Sequence, residues 1–392
     1  MFRIQTLGRI STAGLELFAR DRYEVASEIP NPDAIIVRST KMHDMPLPGS
    51  LKAVARAGAG VSNIPIDRCN DSGIVVFNTP GGNANSVKEL VLASLFLGSR
   101  NIVEGINWAR ALADKGDEVP VLVEKGKSRF LGPEIRGKTL GVIGLGAIGV
   151  MVANDAVALG MQVRGYDPFI SVESAWGLSS SVQRVMGLEA LIRECDYVTV
   201  NAPLTEQTKG MIAREQFVAM KRGVVLLNLA RGGLVDNAAL TEAIDRGIVA
   251  CYVTDFPDDE LLKMDRVIAI PHLGASTPEA ENNCAVMAVK QICAYLEHGN
   301  ITNAVNFPDC GMNPAGIARI VIANRNIPAM VGQITTVLAE EHVNISDMLN
   351  RHRDKLAYTI IDVDQPVSES SLERIRGISG VIRVRLIQDG VS

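Results

Sequence analysis

The sequence predicts an α/β protein with two lobes of doubly wound parallel sheet, followed by a smaller C-terminal unit. Over residues 1–300, short apolar segments typical of buried strands alternate with segments of helical spacing, which is the pattern of parallel sheets covered by helices. The apolar run at residues 140–143 leads directly into Gly144, Gly146 and Gly149. From residue 317 the predicted order changes to β-α-β-β-α-β, a ferredoxin-like arrangement.

Composition limits the class of protein. A length of 392 residues suits two or three domains, and 47% hydrophobic with 21% charged residues is typical of a soluble globular enzyme. The net charge of −5 gives no electrostatic reason to expect nucleic acid or an anionic membrane as a partner. The first residues lack the basic start and long apolar core of a signal peptide, and the apolar stretch at 90–97 is too short to span a bilayer.

The six cysteines form no C-x-x-C pair, and no histidine lies near them at the spacing of metal ligands. We therefore expect free, buried thiols in a reducing cytoplasm and no metal site. Cys69 and Cys195 have no base near them in the sequence, so nucleophilic catalysis has little support.

The first lobe begins with four predicted strands, at residues 2–7, 34–37, 53–57 and 74–77, and a helix at 11–20. The second of these strands runs into the donor cluster Arg38-Ser39-Thr40-Lys41. Ligands of parallel sheets bind beyond the carboxyl ends of the strands. The cluster therefore suggests an anion site, with a charged surface loop as an equal alternative.

Two long helices are predicted on either side of the central part of the chain. Apolar residues at helical spacing predict one continuous helix over residues 84–113, and a second over 278–298 that ends at Gly299. Because the second helix can return the chain to the first lobe, we expect the central part to be an insertion in that lobe. Residues 114–137 are expected to be a charged surface excursion, and residues 300–316 a linker.

The central part starts with a predicted phosphate-binding turn. In the G-x-G-x-x-G spacing, glycine permits a tight turn, close approach of the backbone to a pyrophosphate, and close packing of helix on strand. Residues 147–159 predict the helix, whose positive N-terminal end favours a phosphate, and residues 161–166 the next strand. Asp167 ends that strand near the expected separation of ~20 residues, where a carboxylate can bind the ribose 2′-OH of NAD and repel the 2′-phosphate of NADP. The alternative is a glycine-rich turn in some other α/β sheet.

Later strands are predicted at 197–200, 224–229, 250–254 and 267–270, with helices at 188–193, 214–220 and 237–246 between them. The segments that follow these strands carry Asn201, Arg231, Asp255 and His272. Since the carboxyl ends of parallel strands meet at one edge of a sheet, we expect these side chains around a single crevice.

These residues suggest a reaction. Oxidation of a 2-hydroxy acid by a nicotinamide cofactor needs a cation to orient the carboxylate, which Arg can do with two hydrogen bonds. It also needs an acid–base group, usually His, and often a carboxylate beside it. Arg231, His272 and Glu260 fit these roles. A core histidine and a solvated acidic turn at 258–260 are the alternatives, and spacing does not choose among Asp258, Asp259 and Glu260.

Four segments, VIGLGAIG, NAPLTEQT, LLNLARGGLVD and IPHLGAST, resemble those of the D-isomer-specific 2-hydroxyacid dehydrogenases. The segments RST, RAGAGVSNI and NTPGGNANSVKEL, with the C-terminal unit, are similar to the form of that family with one ACT domain. The resemblance covers essentially the whole chain. It implies a Rossmann NAD-binding domain at 93–279, inserted into a flavodoxin-like substrate-binding lobe at 1–92 and 280–302, a linker at 303–316 and an ACT domain at 317–392.

The resemblance also implies roles for single residues. Arg231, Glu260 and His272 would be catalytic. The resemblance thus selects Glu260 rather than Asp258 or Asp259. Substrate contacts would come from Arg38, Ser39, Ala59 and Gly60, which favours the anion site and fits a phosphate-bearing substrate. The residues implied to contact NAD are Gly144, Gly146, Ala147, Ile148, Gly149, Asp167, Pro203, Thr208, Leu229, Ala230, Asp255 and Gly274.

The chain departs from the family pattern at a few positions. Many members carry His where this chain has Asn201. In the C-terminal unit Asn326 matches a serine-binding pattern, whereas Asn324 and Ala329 replace its His and Gly. An amino-acid effector and a purely structural C-terminal unit are therefore equal alternatives.

The sequence leaves three functions to compare. The first is NAD-dependent oxidation of a phosphorylated 2-hydroxy acid by a cytoplasmic homodimer or homotetramer. The second is the same chemistry on another substrate, as in a hydroxypyruvate or glyoxylate reductase. The third is a non-enzymatic NAD(H)-sensing dimerisation protein, against which the intact Arg-Glu-His trio argues.

Overall fold

The computed structural model describes residues 1–388 and divides the chain into two compact units. The first unit comprises residues 1–83 with the chain from 278 onward, and the second comprises residues 84–277. Within residues 1–388, no helix combines the length and hydropathy needed to cross a membrane.

The strands and helices follow one another in the order that the alternating sequence pattern predicts for most of the chain. The strands are β1 (Phe2–Leu7), β2 (Tyr23–Ala26), β3 (Ala34–Val37), β4 (Ala53–Arg56), β5 (Val75–Phe77), β6 (Thr139–Ile143), β7 (Gln162–Tyr166), β8 (Gln183–Arg184), β9 (Tyr197–Val200), β10 (Val224–Asn228), β11 (Val249–Thr254), β12 (Val267–Ala269), β13 (Ala318–Arg325), β14 (Ile345–Arg353), β15 (Leu356–Val363) and β16 (Val381–Gln388). The helices are α1 (Thr12–Leu15), α2 (Ile66–Asp71), α3 (Ala84–Arg100), α4 (Ile102–Arg110), α5 (Val119–Gly126), α6 (Ala147–Ala158), α7 (Val172–Trp176), α8 (Leu188–Ile192), α9 (Arg214–Ala219), α10 (Asn237–Asp245), α11 (Pro278–His298), α12 (Met330–Glu340) and α13 (Glu369–Arg376).

The first unit contains a parallel sheet of order β2-β1-β3-β4-β5, the flavodoxin-like order of a doubly wound fold. Its short central strands read as unbroken apolar runs because both faces are buried, as Ile35 and Ile36 of β3 show. Helix α11 packs against this sheet through buried residues such as Ala285 and Ile292.

The second unit contains a seven-stranded parallel sheet of order β12-β11-β10-β9-β6-β7-β8. Strand order reverses between β6 and β9, which are neighbours although β7 and β8 lie between them in the sequence. This reversal is the point where doubly wound sheets bind dinucleotides. The predicted α/β fold with parallel sheets and a Rossmann domain is confirmed.

The C-terminal sheet is antiparallel, with the order β14-β15-β13-β16. Helices α12 and α13 cover one face through residues such as Leu338 and Leu372. The other face packs on α11, where the buried Tyr358 hydroxyl donates to the carbonyl oxygen of Gly299 at 2.9 Å and its ring lies 6.4 Å from that of Tyr295. The C-terminal sheet is therefore part of the core of the first unit.

A buried ion pair holds the connection into that sheet. Arg319 Nε donates to Asp362 Oδ1 at 2.6 Å, and the two side chains are only 4% and 1% exposed. Arg319 Nη1 also donates to the carbonyl oxygens of His298 and Met312. Within the segment predicted to be a linker, 303–316, Ala304, Phe307 and Cys310 are buried in the core of the first unit, whereas residues 313–316 are exposed.

The helix predicted over residues 84–113 is in fact two helices. Asn101 separates α3 from α4 with a left-handed φ of 47°, and its Nδ2 donates to the carbonyl oxygen of Leu131 at 3.1 Å. The apolar spacing continues across Asn101, so the pattern alone did not reveal the break. The excursion at 114–137 also contains helix α5, and Trp108 of α4 packs on Phe130 with ring centroids 5.3 Å apart.

The observed units do not coincide with the predicted domain ranges. The predicted boundary at 92/93 falls inside α3, all of which lies in the second unit. The predicted ACT range ends with residues 389–392, which lie outside the described residues. Five elements, β2, α2, α5, α7 and β8, were not predicted.

All six cysteines lie within the described residues and are free, five of them buried and Cys293 half-buried. Burial raises the pKa of Cys195 and of Cys251 to about 12, so both are thiols at neutral pH. In residues 1–388 no group of three His, Cys, Asp or Glu side chains is placed to hold a metal ion.

Candidate functional site

The glycine-rich turn joins β6 to α6 in the second unit. Gly144 has a φ of 87°, which favours glycine, and a Cβ there would lie 2.9 Å from the backbone of Asn201. A Cβ on Gly149 would lie 1.9 Å from the carbonyl oxygen of Gly144, so α6 packs on the turn only because this residue is glycine. A Cβ on Gly146 would meet nothing within 4 Å.

Gly146 is the N-cap of α6, and Ala147 and Ile148 form its first turn. The unpaired N–H groups and positive end of this helix point to the open space beside Gly146, where a pyrophosphate can approach the backbone. The open space beside Gly146, which a Cβ would fill, therefore fits the pyrophosphate of a dinucleotide.

Asp167 follows β7 and lies next to the turn. Its Oδ2 accepts from the backbone N–H of Leu145 at 2.8 Å, and its Oδ1 accepts from that of Phe169 at 2.8 Å. These two bonds orient the half-buried carboxylate, and each oxygen keeps a lone pair for another donor. A ribose hydroxyl is a suitable donor.

The loop after β9 contains Pro203 and Thr208, both predicted to contact the cofactor. Thr208 Oγ1 donates to the carbonyl oxygen of Pro203 at 2.6 Å and accepts from the backbone N–H of Thr205 at 2.8 Å, which closes the loop into a compact turn. Asn201 begins this loop, and its buried Nδ2 has no partner among the described residues.

Asn228, the last residue of β10, shapes the next loop. Its Nδ2 donates to the carbonyl oxygen of Arg231 at 2.9 Å, and its Oδ1 accepts from the backbone N–H of Ala230 at 3.3 Å. Leu229 between them is buried. The loop thus leaves the Arg231 side chain exposed, and within residues 1–388 its guanidinium pairs with no carboxylate. Arg231 is therefore free to bind an anion.

Sequence reasoning missed Asn228. The available signal was a polar residue at the end of the apolar run VVLLN, where a buried amide must find partners in the following loop.

Asp255 fixes the turn that follows β12. This buried carboxylate accepts from the backbone N–H of Leu273 at 2.7 Å and from that of Gly274 at 2.8 Å. Burial raises the pKa of Asp255, although the two N–H donors and the nearby His272 oppose the shift. The predicted cofactor residues Asp255 and Gly274 are thus in direct contact.

The same turn presents His272. Its φ is 55°, a conformation that costs a side-chain-bearing residue of order 1–3 kcal/mol and is concentrated at functional sites. The ring is exposed and packs against Phe256 with centroids 4.7 Å apart. The alternative of a core histidine is wrong, because this side chain is exposed.

The three acidic residues at 258–260 have different surroundings. Asp258 Oδ1 accepts from the backbone N–H groups of Glu260 and Leu261, so Asp258 shapes the turn. Asp259 forms an ion pair with Lys263. Among the described residues the Glu260 carboxylate has no hydrogen bond or ion pair, including with His272.

These loops all follow parallel strands of one sheet and therefore lie along the same edge of the second unit. The structure brings together the glycine-rich turn, Asp167 and the loops that carry Arg231, Glu260 and His272. Such an edge can hold a dinucleotide beside a free cation and an exposed imidazole, which are the groups that a hydride-transfer reaction on a hydroxy acid requires.

The predicted substrate residues lie in the first unit, after β3 and β4. Ser39 is exposed, and Ala59 and Gly60 are half-buried. The Ala59 carbonyl oxygen accepts from Asn78 Nδ2 at 2.6 Å. Arg38 Nη1 forms an ion pair with Glu281 Oε1 at 2.7 Å, so this guanidinium already has an anionic partner.

Comparison with known proteins identifies the family that this chain resembles. Residues 92–274 match the model of the D-isomer specific 2-hydroxyacid dehydrogenase, NAD binding domain. A D-3-phosphoglycerate dehydrogenase of Mycobacterium bovis is 32% identical over 382 residues, which is 92% of this chain and 70% of that protein. The D-3-phosphoglycerate dehydrogenase of Escherichia coli is 31% identical over 84% of this chain and 79% of that protein.

The chain belongs to the D-isomer specific 2-hydroxyacid dehydrogenase family. It carries the NAD-binding domain of that family, and the predicted cofactor, NAD, is confirmed. A solved relative is the NAD⁺-bound 3-phosphoglycerate dehydrogenase of Entamoeba histolytica, 28% identical, with a TM-score of 0.61 over 78% of this chain and 98% of that one. The D-mandelate dehydrogenase of Rhodotorula graminis, 25% identical, has a TM-score of 0.65 over 80% of this chain and 99% of that one.

The chain spans less than two thirds of the length of several relatives that it matches. A D-3-phosphoglycerate dehydrogenase of Archaeoglobus fulgidus is 39% identical over 75% of this chain, but the match spans only 56% of that protein. The match to the protein of the same name from Methanocaldococcus jannaschii spans 61% of it.

Proposed function

We propose that this chain catalyses the NAD-dependent oxidation of 3-phospho-D-glycerate to 3-phosphohydroxypyruvate, the first step of L-serine biosynthesis. The observation that carries the proposal is the edge of the second unit, where Arg231 and Glu260 have no carboxylate or cation partner among residues 1–388 and His272 is exposed. The names of the relatives from Mycobacterium bovis and Escherichia coli support the choice of substrate.

The roles of the chain's own residues follow from this arrangement. Bound NAD supplies the nicotinamide ring that accepts the hydride from C2 of the substrate. Arg231 binds the substrate carboxylate and C2 oxygen with its planar guanidinium. His272 takes the proton from the C2 hydroxyl, and Asp255 holds the turn that orients it. Glu260, which has no competing partner in the described part of the chain, stabilises the resulting imidazolium once its carboxylate turns towards the ring.

The test is NADH formation on a panel of 2-hydroxy acids that includes 3-phosphoglycerate, D-lactate, glycerate and 2-hydroxyglutarate. His272→Ala should lower kcat by about 10²–10⁴, the usual contribution of a general acid–base group. His352→Ala is the matched control, because His352 is exposed on β14, far along the chain from the proposed site. A fall of only a few-fold in His272→Ala, or an equal fall in both variants, would contradict the assignment.

One observation favours a second substrate class. The Arg38–Glu281 ion pair competes with a substrate phosphate for the guanidinium, which would suit an unphosphorylated 2-hydroxy acid. Arg38→Ala distinguishes the two. For a phosphoglycerate dehydrogenase it should lower kcat/KM for phosphorylated substrates alone, whereas equal effects on all substrates would favour the second class.

We also propose that the C-terminal sheet is an ACT domain that binds an amino acid. A cavity of about 160 Å³ lies beside Asn324, Asn326 and Asn350, and the Oδ1 of the buried Asn324 has no protein donor within residues 1–388. Ala329 adopts a left-handed φ of 63°, so alanine has kept the turn that glycine favours at this position of the family pattern. An ammonium group is a suitable donor to Asn324, and inhibition by added L-serine, lost in Asn324→Leu, is the test.

The apolar surface of α4, α5 and the segment after them supports a homodimer or homotetramer. Ile106, Val121 and Leu131 are 47%, 55% and 78% exposed, and α4 has no buried residue. Large exposed apolar patches mark protein interfaces. Light scattering should show an oligomer for the wild type and a smaller species for Ile106→Glu. The buried free thiols support a reducing cytoplasm as its location.

A further inference from the structure

A groove of about 560 Å³ runs along the outer face of α11 in the first unit, apart from the residues assigned to substrate, cofactor or effector. Its floor is largely apolar, with Val286 and Met287 on the helix and Pro80 on the loop after β5. Its opposite wall is polar and contains Thr302 and Asn303. This size and this mixture of surfaces are typical of small-molecule sites.

Gln291 gives the groove a specific hydrogen-bonding requirement. The side chain is 7% exposed, its Nε2 donates to the carbonyl oxygen of Asn78 at 3.0 Å, and its Oε1 has no donor among the described residues. A buried carbonyl oxygen without a donor costs of order 1–3 kcal/mol. A ligand that brings an N–H or O–H group into the groove would remove that cost.

Lys290 supplies the complementary charge. It lines the same groove, is exposed, and forms no ion pair within residues 1–388. Among the residues that the structure describes, no carboxylate lines the groove. An anionic group near Lys290, together with a donor at Gln291, defines a small zwitterion or a hydroxylated anion as the chemistry that the groove recognises.

The groove is connected to the proposed substrate loop through Asn78. Gln291 Nε2 donates to the backbone carbonyl oxygen of Asn78, and the Asn78 side chain donates through Nδ2 to the Ala59 carbonyl oxygen at 2.6 Å. A second groove residue, Asn303, accepts from the Asn78 backbone N–H at 3.3 Å. Asn78 is therefore held by two groove residues and in turn holds the residue before Gly60.

We propose that this groove binds a small zwitterion, with its anionic group at Lys290 and its ammonium donor at Gln291, and that binding tightens the Ala59–Gly60 substrate loop. A donor on Gln291 Oε1 polarises that side-chain amide and strengthens the bond from its Nε2 to the Asn78 carbonyl oxygen. This fixes the Asn78 backbone and, with it, the side chain that holds Ala59. The link to catalysis rests on the proposed function, whereas the binding site does not.

The probes are ω-amino acids of increasing length, from glycine to 6-aminohexanoate, measured by titration calorimetry with the full chain. At least one should bind saturably, and butyrate and butylamine, which each carry only one of the two groups, should bind about tenfold more weakly. Lys290→Gln should weaken binding by about tenfold, and Thr302→Trp should block the groove. Lys355→Gln, at another exposed lysine, is the matched control. Failure of every probe to bind, or binding that persists unchanged in Thr302→Trp, overturns the site.

The second measurement is KM for 3-phosphoglycerate with the groove saturated. We expect KM to fall about twofold at constant kcat, as modest strengthening of a hydrogen-bond chain would give. In Asn78→Ala the probe should still bind while KM no longer responds. Binding without any KM change in the wild type overturns the coupling. If the chain oxidises no 2-hydroxy acid, the proposed function fails, and calorimetry still decides the site.

Discussion

Replacing single glycines of the β6–α6 turn by alanine should distinguish an effect on NAD affinity from an effect on the stability of the fold. Gly146→Ala adds a Cβ that meets no atom of the described residues within 4 Å, and its φ of −75° suits alanine. Alanine is a poorer N-cap than glycine, so the free energy of unfolding should fall by about 0.5–1 kcal/mol. The methyl group nevertheless stands where a pyrophosphate would approach the backbone, and we expect NAD to bind at least about tenfold more weakly, which is ~1.4 kcal/mol.

Gly149→Ala should act instead on the stability of the fold. Its Cβ would lie 1.9 Å from the carbonyl oxygen of Gly144, so α6 must move away from the turn. Overpacking of this kind costs about 1–3 kcal/mol, and the loss should appear in urea unfolding without cofactor. Gly187→Ala is the matched control: it is also a helix N-cap with nothing within 4 Å of the added Cβ, but it precedes α8.

The assays are NAD affinity by quenching of intrinsic fluorescence or calorimetry, and the free energy of unfolding by urea titration. Wild-type NAD affinity in Gly146→Ala would refute the placement of the pyrophosphate at this turn. Equal weakening in Gly187→Ala would show that the effect is a general consequence of replacing an N-cap glycine.

Three further predictions concern charged residues. Asp167→Ser should weaken NAD about tenfold and raise the NADP-to-NAD affinity ratio, because the carboxylate that repels a 2′-phosphate is removed; calorimetry with both cofactors measures this. Arg319→Met should lower the free energy of unfolding by about 3–5 kcal/mol, since it leaves the Asp362 carboxylate buried and unpaired, and Arg319→Met/Asp362→Leu should recover most of the loss. Burial raises the pKa of Asp196, but a backbone N–H bond and Lys221 outweigh it and hold the pKa below its ordinary value. Asp196 therefore stabilises the fold above its unfolded pKa of about 3.9, and this stability is lost as pH falls through the folded pKa. Unfolding of Asp196→Asn against pH should show a deficit at neutral pH that disappears in acid.

Each of these has an outcome that would contradict it. An unchanged NADP-to-NAD ratio in Asp167→Ser would mean that the carboxylate does not face the ribose. If the double variant of Arg319 and Asp362 is no more stable than Arg319→Met, the cost does not come from an unpaired charge. A stability deficit in Asp196→Asn that is the same at all pH values would rule out linkage to ionisation.

The sequence predicted those parts of the candidate site whose geometry depends on residues close together in the chain. The spacing of Gly144, Gly146 and Gly149 predicted the cofactor turn, because the backbone conformation of a strand–turn–helix depends on residues only a few positions apart. The loops with Arg231 and His272 were also predicted, since every parallel strand ends at the same edge. The choice of Glu260 came from the family resemblance. The structure is consistent with that choice, because Asp258 accepts a backbone hydrogen bond and Asp259 pairs with Lys263.

Other features required the fold. The break at Asn101 is invisible in the apolar spacing, because a single left-handed residue changes the direction of a helix without changing its pattern. The bonds from Tyr358 to Gly299 and from Arg319 Nη1 to the carbonyl oxygen of His298 join segments that the sequence suggested were separated by a linker. Periodicity shows which face of an element is apolar but not which other element covers it.

By itself, the sequence determined that this protein has two doubly wound parallel sheets, a glycine-rich strand–turn–helix at Gly144 to Gly149, and an arginine and a histidine at strand ends on the same edge of one sheet. These features are encoded by spacing within one strand and its following loop. Only the tertiary structure decided that Arg38 is paired with Glu281, that Asn228 and Asp255 hold the loops of Arg231 and His272, and that Gln291 connects a groove to the Ala59 loop. Those contacts join residues from different elements, and their partners are selected by packing rather than by any local pattern.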